Sequence, residues 1–565
     1  MLILHDSPST DLSHVQAIAD LAEGFALFDY VRIEQPDGRG WVGQIVQPNQ
    51  NVSVIGQRLD PTILHGLELM QRNLDVQSVR SVQVFDILVL GQLEDGQMLT
   101  PRLRPLPGAQ VARLGPEDTA AFISIPAPRP HADGSTNVIG ELLNAADVPL
   151  CMANRLLNYH IMVAGGTGSG KSNVAANLID QAVRFRKCVL VHDAKPDYRL
   201  IQRANTDDRV GLIWRRFARF GLTPRAANHV TRIGFCGNCD PANVDRVVGF
   251  QCSDFGPDML AGLFFPRAAA GGEEKQYEGF AAVAYYFWNR KRERQINAYT
   301  LDEILNEVAR RGDPNQNQAM NPSDRLHDTV ANAIARKVGT RRRFYPWLDA
   351  VGQALQHARV ANPFAGGRLD PRQQRAVEVF DYAHVVAEGG IVVLDYGDMD
   401  ETSYAVILSY FLRECQRKRK RREGPGIVQM VDEAHRIFDN ESRHSATLAS
   451  AFERVMREGR SIDHSVILSL QNASQIPPRV MNNLNTKFVM RQNSKSEAES
   501  ATQTMGREFA TQAMRLGQGH ALVSVHESRA VVLAQMAPSP YELLRAELEI
   551  DVDGAPPEDG DDEEF

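Results

Sequence analysis

The first part of the chain shows an alternation of hydrophobic and polar positions that is typical of β-strands. Between residues 25 and 115, short alternating segments are separated by turn-forming sequences such as PDGRG, PNQN and LEDGQ. A closed sheet leaves no long free strand edge, so we expect a small β-barrel here. The predicted elements are the strands Tyr30–Glu34, Trp41–Val46, Asn51–Ile55 and Val82–Gly91, and one helix, Pro61–Arg72.

The hydrophobic pattern changes after residues 124–137, which are rich in Pro, Gly and Ser and are interpreted as a linker. The continuous apolar segment His160–Ala164 predicts a buried strand. A Gly-rich loop and a helix-period segment follow, and a second buried strand is predicted at Cys188–Val191. Such a strand–loop–helix–strand order indicates a parallel sheet of the α/β class.

The rest of the chain is predicted to be helical first and then to alternate between helices and strands. In residues 250–380 the predicted helices are Glu273–Arg294, Ala298–Arg311 and His327–Arg342. The later elements are strand Gly390–Leu394, helix Ser403–Arg421, strand Ile427–Val431, helix Ala446–Glu458 and strand Ser465–Leu470.

Composition indicates a soluble globular protein, with 43% hydrophobic and 23% charged residues. No apolar run approaches the roughly 18 residues that span a bilayer, so no membrane association is expected. Six cysteines do not form a disulfide framework, which makes the cytoplasm the expected location. The net charge of −8 arises in residues 551–565, which contain eight acidic and no basic residues and are predicted to be a disordered acidic tail.

The Gly-rich loop has the complete sequence of a phosphate-binding loop (P-loop), with a predicted strand before it and a helix after it. Glycines let successive backbone N–H groups surround phosphate oxygens, a lysine adds a positive charge, and a serine hydroxyl reaches Mg²⁺. The pattern therefore predicts a site for ATP and Mg²⁺, formed by Gly165, Gly166, Thr167, Gly168, Ser169, Gly170, Lys171 and Ser172.

Two later strands are predicted to complete this site. The apolar strand Ile427–Val431 ends in Asp432 and Glu433. We assign Asp432 to Mg²⁺ and Glu433 to the water that attacks the γ-phosphate. Gln471 follows the next strand and is predicted to sense the γ-phosphate or the attacking water.

Two groups of basic residues have more than one interpretation. Arg457 and Arg460 complement the dipole at a helix end, or they reach the nucleotide of a neighbouring subunit as a trans-acting finger. The run Arg417–Arg422 is a solvated helix end, or it is a surface that follows DNA phosphates.

With these motifs in place, the chain resembles the HerA family of hexameric DNA translocases, the DUF87-type ATPases of the HerA/FtsK superfamily. The resemblance is carried by the P-loop and its flanks, by VDEAH at 431–435, by REGR at 457–460, by Leu470–Gln471 and by PRVMNNLNTK at 478–487. One departure is Ser461–His464, where the family usually has a Lys-Tyr-Gly-like stretch.

The resemblance implies a RecA-like P-loop ATPase core, an inserted helical bundle and an N-terminal barrel of the HAS type. The implied domains are the barrel at residues 1–130, the first core part with the P-loop at 131–249 and the bundle at 250–380. The second core part, with Asp432 and Gln471, is implied at 381–550, and the tail at 551–565. It also implies Lys171 and Ser172 as phosphate and Mg²⁺ ligands, and either Arg457 or Arg460 as the trans-acting arginine.

The expected function is an ATP-hydrolysing hexameric motor that translocates or unwinds double-stranded DNA. The resemblance implies an effector partner, either a NurA-type nuclease in DNA end processing or a Sir2-like or nuclease protein in anti-phage defence. The alternative is a ring scaffold that assembles and licenses an effector without substantial translocation. A secretion-type or conjugative ATPase is a third, less favoured hypothesis, because no membrane anchor is expected.

Overall fold

The computed structural model describes most of the chain. The described residues are 1–3, 13–20, 23–53, 81–132, 134–145, 147–207, 210–266, 272–318, 320–349, 377–380, 382, 390–397, 399–438, 443–506, 508–526, 528 and 530–544. The predicted helix Pro61–Arg72, part of the predicted strand Asn51–Ile55 and the acidic tail at 551–565 lie outside these residues.

The strands are, in chain order, β1 Leu2–Ile3, β2 His14–Asp20, β3 Tyr30–Glu34, β4 Gly40–Ser53, β5 Ser81–Glu94, β6 Gln97–Leu99, β7 Gln110–Arg113, β8 Val138–Leu142, β9 Pro149–Cys151, β10 His160–Ala164, β11 Cys188–Asp193, β12 Val230–Phe235, β13 Arg246–Gly249, β14 Glu378–Val379, β15 Ile391–Asp395, β16 Ile427–Val431, β17 His464–Leu470, β18 Leu484–Val489, β19 His520–Ser524 and β20 Val531–Met536.

The α-helices are, in chain order, α1 Pro116–Phe122, α2 Asn154–Leu157, α3 Lys171–Arg184, α4 Gly211–Ala218, α5 Pro257–Phe264, α6 Gly272–Arg292, α7 Leu301–Gly312, α8 Asp328–Arg341, α9 Glu401–Lys420, α10 Arg443–Ile462, α11 Pro478–Met481, α12 Lys495–Thr502 and α13 Glu508–Ala513. Those that correspond to predicted helices differ from them by a few residues at the ends, where sequence patterns define boundaries least well.

The N-terminal β domain is a closed barrel. Its sheet has the order β2-β1-β7-β3-β4-β5-β6, and β2 also pairs with β5, which closes a ring of six strands. The interior is filled by apolar side chains that alternate along the strands, including the fully buried Trp41, Val31, Ile33, Ile45 and Ile87. The predicted barrel is therefore confirmed.

The barrel differs from the prediction in its strands. Two separate strands were predicted at Trp41–Val46 and Asn51–Ile55. The predicted break between them is wrong, because one long strand, β4, runs through Pro48 to Ser53. Register shifts between Ile45 and Gln47 and between Pro48 and Gln50 let the proline stay in the strand, because a bulge removes the need for its missing N–H. The closing strands β1 and β2 lie before residue 25 and were not predicted.

The chain divides into two compact units, Met1–Gln181 with Leu212–Thr223 and Ser465–Pro538, and Ala182–Gly211 with Pro224–His464 and Ser539–Phe565. Besides the barrel, the first unit has sheet strands in the order β17-β10-β18-β19-β20-β8-β9. Strand β10 runs parallel to β17 and β18, and the remaining neighbours are antiparallel.

The second unit has a parallel sheet in the order β14-β13-β12-β15-β11-β16. Its inner strands β11 and β16 are buried at every position, as expected for strands covered on both faces. Helices α5, α6, α7 and α8 pack against one another in the same unit. This architecture confirms the predicted fold class, while the five domain boundaries stay predictions.

Among the described residues, no helix combines the length and the apolarity that crossing a bilayer requires.

Candidate functional site

The phosphate-binding loop lies at the C-terminal end of β10, between that strand and α3. Ala164 is paired with Leu470 of β17 on one side and with Val489 of β18 on the other. Backbone hydrogen bonds continue this pairing into the loop, since Gly165 N donates to the Leu470 carbonyl at 3.1 Å and Gly166 N donates to the Arg491 carbonyl at 2.8 Å. The loop is therefore held at its base by two neighbouring strands.

Two of the loop glycines cannot be replaced by other residues without strain. Gly170 has φ 107, which an L-residue rarely adopts. A Cβ on Gly166 would lie 2.5 Å from the side-chain amide of Asn493, so this exposed side chain would have to move aside. The glycines make a narrow cradle of backbone, and a nucleotide's phosphate groups fit such a cradle.

Lys171 is the first residue of α3, and it is 8% exposed. Its Nζ donates to the Gly166 carbonyl at 3.2 Å, and the Ser169 hydroxyl donates to the same carbonyl at 2.7 Å. The lysine charge is thus folded over the loop, where it can reach bound phosphate oxygens. Thr167 and Gly168 are exposed at the loop tip, and Ser172 is half-buried in the first turn of α3.

Gln471, the predicted sensor, lies directly beside the loop. It follows Leu470, the residue whose carbonyl accepts from Gly165 N, and its side chain is half-buried. The structure therefore brings together all of the predicted residues of the loop and Gln471 in the first compact unit.

The carboxylates Asp432 and Glu433 lie in the second unit, at the C-terminal end of β16. Strand β16 pairs with β11 up to Val431, which lies opposite His192. The pairing extends one residue further, because Asp432 N donates a hydrogen bond to the His192 carbonyl at 3.1 Å. The Tyr404 hydroxyl donates to the Asp432 carbonyl at 2.9 Å, which ties the strand end to α9. Both carboxylate residues are buried, at 2% and 5% exposure.

Glu433 has a left-handed backbone conformation, with φ 48 and ψ 38. This conformation is unfavourable for a residue with a Cβ, and such strain is concentrated at functional positions. Its carboxylate accepts a hydrogen bond from Lys195 Nζ at 2.8 Å, and His435 Nε2 lies 3.5 Å from its other oxygen. Lys195 is therefore a residue of the site that the sequence analysis missed.

Asp193 was also missed, and it ends the neighbouring strand β11. It is fully buried, and its carboxylate accepts from Tyr198 N at 3.1 Å. Burial, together with the negative charge of Asp432, raises the pKa of Asp193 well above its usual value. An Asp at the carboxyl end of a parallel strand is a signal that could have indicated it.

The two predicted trans-acting arginines are both exposed on α10, near its C-terminal end. Between them, Glu458 accepts a hydrogen bond from Gln416 Nε2 at 2.7 Å and forms an ion pair with Lys420. Arg457 has no side-chain hydrogen bond or ion pair within the described part of the chain.

The basic run at 417–422 is largely neutralised. Arg417 forms a two-point ion pair with Glu414, and Lys418 lies 2.8 Å from Glu423. Arg419 is buried, and it donates to the carbonyl of Ile462 at 2.9 Å. These contacts favour the interpretation of the run as a helix end over that of a surface that follows DNA phosphates.

A parallel-sheet strand that runs through this glycine loop into a helix defines a P-loop ATPase with a RecA-like core. Residues 137–354, which begin at β8 and contain the whole loop, match the family model described as "Helicase HerA, central domain". This part of the chain is therefore similar to the central domain of HerA helicases, in agreement with the resemblance seen in its motifs.

Two curated relatives carry helicase names. The chain is 26% identical over 219 residues to "Probable helicase MJ1565" of Methanocaldococcus jannaschii, a match that covers 36% of this chain and 39% of that protein. It is 21% identical over 463 residues to "DNA double-strand break repair helicase HerA" of Sulfurisphaera tokodaii, covering 80% of this chain and 76% of that protein. A solved structure of the bacterial conjugative coupling protein TrwB is similar at a TM-score of 0.45 and 12% identity, covering 76% of this chain and 94% of that one.

Proposed function

We propose that the protein is an ATP-hydrolysing motor that acts as a homo-hexamer and translocates or unwinds double-stranded DNA. The observation that carries this proposal is the complete P-loop, with Lys171 buried over a glycine cradle at the end of a central strand. Both relatives carry helicase names, and the name of the Sulfurisphaera tokodaii protein supports DNA as the substrate.

In this proposal ATP lies on the loop, with its phosphates held by backbone N–H groups and Lys171. Mg²⁺ would be held by the phosphates, the Ser172 hydroxyl and Asp432, because this ion is usually bound by one or two protein ligands together with substrate phosphates. Within the described ranges no group of three or more His, Cys, Asp or Glu residues is placed to hold a metal ion.

Glu433 is the proposed general base or orienting group for the attacking water, and Gln471 the proposed sensor. The burial of Glu433 supports its assignment, since a carboxylate shielded from bulk water interacts more strongly with a nearby nucleophile. The position of Gln471 beside Gly165 supports the sensor role.

The proposal is tested by ATP hydrolysis with and without duplex DNA, in the wild type and in Glu433→Gln. We expect DNA to stimulate hydrolysis by the wild type and the variant to bind ATP without hydrolysing it. Hydrolysis that responds neither to DNA nor to this substitution would rule out the motor.

A second candidate is a ring scaffold in which bound ATP sets assembly and licenses an effector enzyme. The phosphate-binding loop supports this candidate as well, because assembly would need only ATP binding, for which Lys171 lies folded over the loop. Lys171→Ala weakens nucleotide binding, whereas Glu433→Gln preserves it. Effector activity that survives in Glu433→Gln but not in Lys171→Ala supports the scaffold, and loss in both variants supports the motor.

We propose Arg457 as the trans-acting arginine, since its guanidinium is exposed and uncommitted in the described part of the chain. Planar guanidinium donors stabilise the charge that develops on a transferring phosphoryl group. Arg457→Ala and Lys171→Ala should each be inactive alone, but mixed rings should regain hydrolysis at sites that combine an intact loop with an intact arginine. If Arg460→Ala shows this complementation and Arg457→Ala does not, the assignment moves to Arg460.

We propose the barrel as the module for ring assembly and for docking an effector, such as a nuclease or Sir2-like protein in DNA end processing or phage defence. Leu103 and Leu106 are 45% and 52% exposed on the barrel domain, and they are therefore accessible to another chain. Removing the whole barrel would also expose Phe509, which stacks on Phe28 at 5.8 Å, so surface variants are the cleaner test.

The double variant Leu103→Glu/Leu106→Glu should lose the hexamer or the effector while still binding ATP. Light scattering after size exclusion measures the ring, and a pull-down of the native complex measures the effector. A variant that keeps both would show that the barrel does not have this role.

A further inference from the structure

A cavity of about 760 Å³ lies in the second compact unit, apart from the residues assigned to ATP. Its walls come from α6, α9 and α10, from Ser253, Asp254 and Met259, and from Phe380 and Tyr382. The volume lies in the range of roughly 300–1,000 Å³ that is typical of small-molecule sites. No role has been given to it so far.

The cavity is strongly basic. Its cationic side chains are those of Lys291, Arg292, Arg413, Arg417, Lys418 and Arg454. Asp254 and Glu414 also line it. Arg417 is paired with Glu414 and Lys418 with Glu423, so the excess of positive charge comes from Lys291, Arg292, Arg413 and Arg454. Such a concentration of one sign of charge within a concave surface attracts anions.

Two of these cations, Arg413 and Arg454, lie close together, with the carboxylates of Asp258 and Glu458 near one of them each. Arg413 is half-buried against Gly256, where an added Cβ would be 3.0 Å from its Nη2 atom. Neither Arg413 nor Arg454 makes a side-chain hydrogen bond or ion pair within the described part of the chain. Burial, and then the charge of Arg454, lower the pKa of Arg413, and the charge of Asp258 opposes this shift in part. A like-charged pair of this kind is stabilised when an anion binds between its members.

A second cationic wall is formed by Lys291 on α6. Its Nζ donates to the carbonyl of Ser253 at 2.8 Å and to the hydroxyl of the same residue at 3.0 Å, which fixes its position. Burial lowers the pKa of Lys291. The charge of Asp254 opposes this shift, and the charge of Arg417 adds to it. The cavity thus has two separate places at which an anionic group would be stabilised.

Aromatic side chains complete the lining. Trp288 and Tyr410 are half-buried at the cavity, so part of each ring is accessible from it. The ring of Tyr410 is held by edge contacts to Phe250 at 5.0 Å and Phe380 at 6.1 Å. Tyr382 also lines the cavity, with Lys418 Nζ at 5.9 Å from its ring centre. Accessible rings of this kind stack on nucleobases.

We propose that this cavity binds a small nucleotide with at least two phosphate groups. Arg413 and Arg454 hold one phosphate, Lys291 lies at the second, and Trp288 or Tyr410 stacks on a base. Guanidinium groups suit this role because their forked N–H donors match phosphate oxygens. The site is independent of the ATP site, and it would let a free nucleotide act on the protein without competing with ATP.

The test is calorimetry on the full chain with the linear 5′-phosphorylated dinucleotide pApA, in EDTA so that Mg²⁺-dependent binding at the P-loop is suppressed. We expect one binding site per chain. Arg413→Gln and Arg454→Gln should each weaken binding by at least about tenfold, the usual effect of removing a charged hydrogen-bond donor. Arg454 is exposed, so its variant keeps the test valid if Arg413→Gln fails to fold.

Two matched controls separate this site from other effects. Arg336→Gln removes the same charge from an exposed position on α8, outside the cavity, and should leave binding unchanged. Lys171→Ala should also leave it unchanged. Quenching of tryptophan fluorescence by pApA should be lost in Trp288→Phe, because this tryptophan lines the cavity.

Four results would overturn the proposal. The first is absence of pApA binding, and the second is wild-type affinity for pApA in both Arg413→Gln and Arg454→Gln. The third is loss of binding in Lys171→Ala. The fourth is binding of inorganic pyrophosphate as tightly as pApA, which would leave the base without a role. A short duplex DNA that binds in an Arg454-dependent manner where pApA does not would assign the cavity to DNA instead.

Discussion

The left-handed backbone at Glu433 predicts an unusual order of stability among variants. Both Glu433→Ala and Glu433→Gly remove the carboxylate and its ion pair with Lys195, so that loss cancels when the two are compared. What differs is the backbone, because alanine at φ 48 and ψ 38 is strained and glycine is not.

The magnitude follows from two opposing effects. A left-handed conformation costs an L-residue about 1–2 kcal/mol. Glycine avoids this cost, but it loses more backbone entropy on folding than alanine, which lowers the stability of the glycine variant by about 0.4–1 kcal/mol. Glu433→Gly should therefore be more stable than Glu433→Ala by about 1 kcal/mol, equivalent to about 2–4 °C in Tm for a cooperative unit of 150–250 residues.

Thermal unfolding of the two variants, followed by circular dichroism, measures this difference. The matched control is Glu453 in the interior of α10, where the order should reverse and alanine should be the more stable by about 1 kcal/mol. If Glu433→Ala is as stable as Glu433→Gly while the control behaves as expected, the strained conformation and its proposed link to function are wrong.

Three further predictions concern the loop, the lysine that contacts the Glu433 carboxylate, and a buried lysine. Gly170→Ala should weaken ATP binding by at least about tenfold because φ 107 excludes a Cβ, whereas Gly115→Ala, with no atom near its Cβ, should bind ATP normally in the same filter assay. Lys195→Met should lower kcat by about tenfold with little change in KM, and Lys195→Arg should restore it, if this lysine positions the carboxylate; steady-state kinetics decide this, and equal kcat values would refute it. Burial lowers the pKa of Lys487 to about 8, whereas the pKa of lysine in the unfolded chain is about 10.4. Its buried ammonium therefore destabilises the fold fully below about pH 8, and this destabilisation decreases as the pH rises from about 8 to about 10.4. Urea unfolding should show that Lys487→Met is more stable than the wild type by about 1–3 kcal/mol at pH 7. This difference in the free energy of unfolding should decrease by about 1 kcal/mol at pH 9. A difference that is the same at both pH values would contradict the lowered pKa of Lys487.

The P-loop could be predicted from sequence because its determinants are local. Strand, glycines, Lys171 and helix are contiguous, and each residue has one role that its chemistry requires. The parallel strands β11 and β16 were equally clear, because burial on both faces leaves a continuous apolar run.

Features that depend on distant pairing could not be predicted. The barrel is closed by β1 and β2, which are short and carry weak alternation, and only their register with β5 and β7 shows where they belong. Lys195 has no sequence signal as a partner of Glu433, since the two are far apart along the chain. The basic cavity combines residues from 253 to 454, and the basic run that drew attention contributes only Arg417 and Lys418 to it.

The central claim is that ATP hydrolysis moves this protein along duplex DNA. Displacement of a triplex-forming oligonucleotide from a duplex measures that movement directly, because a translocating ring removes the third strand without needing to unwind the duplex. We predict displacement by the wild type with ATP and Mg²⁺, and none by Glu433→Gln, which still binds ATP. Equal displacement by the two proteins, or none by a wild type that hydrolyses ATP on the same DNA, would contradict the motor.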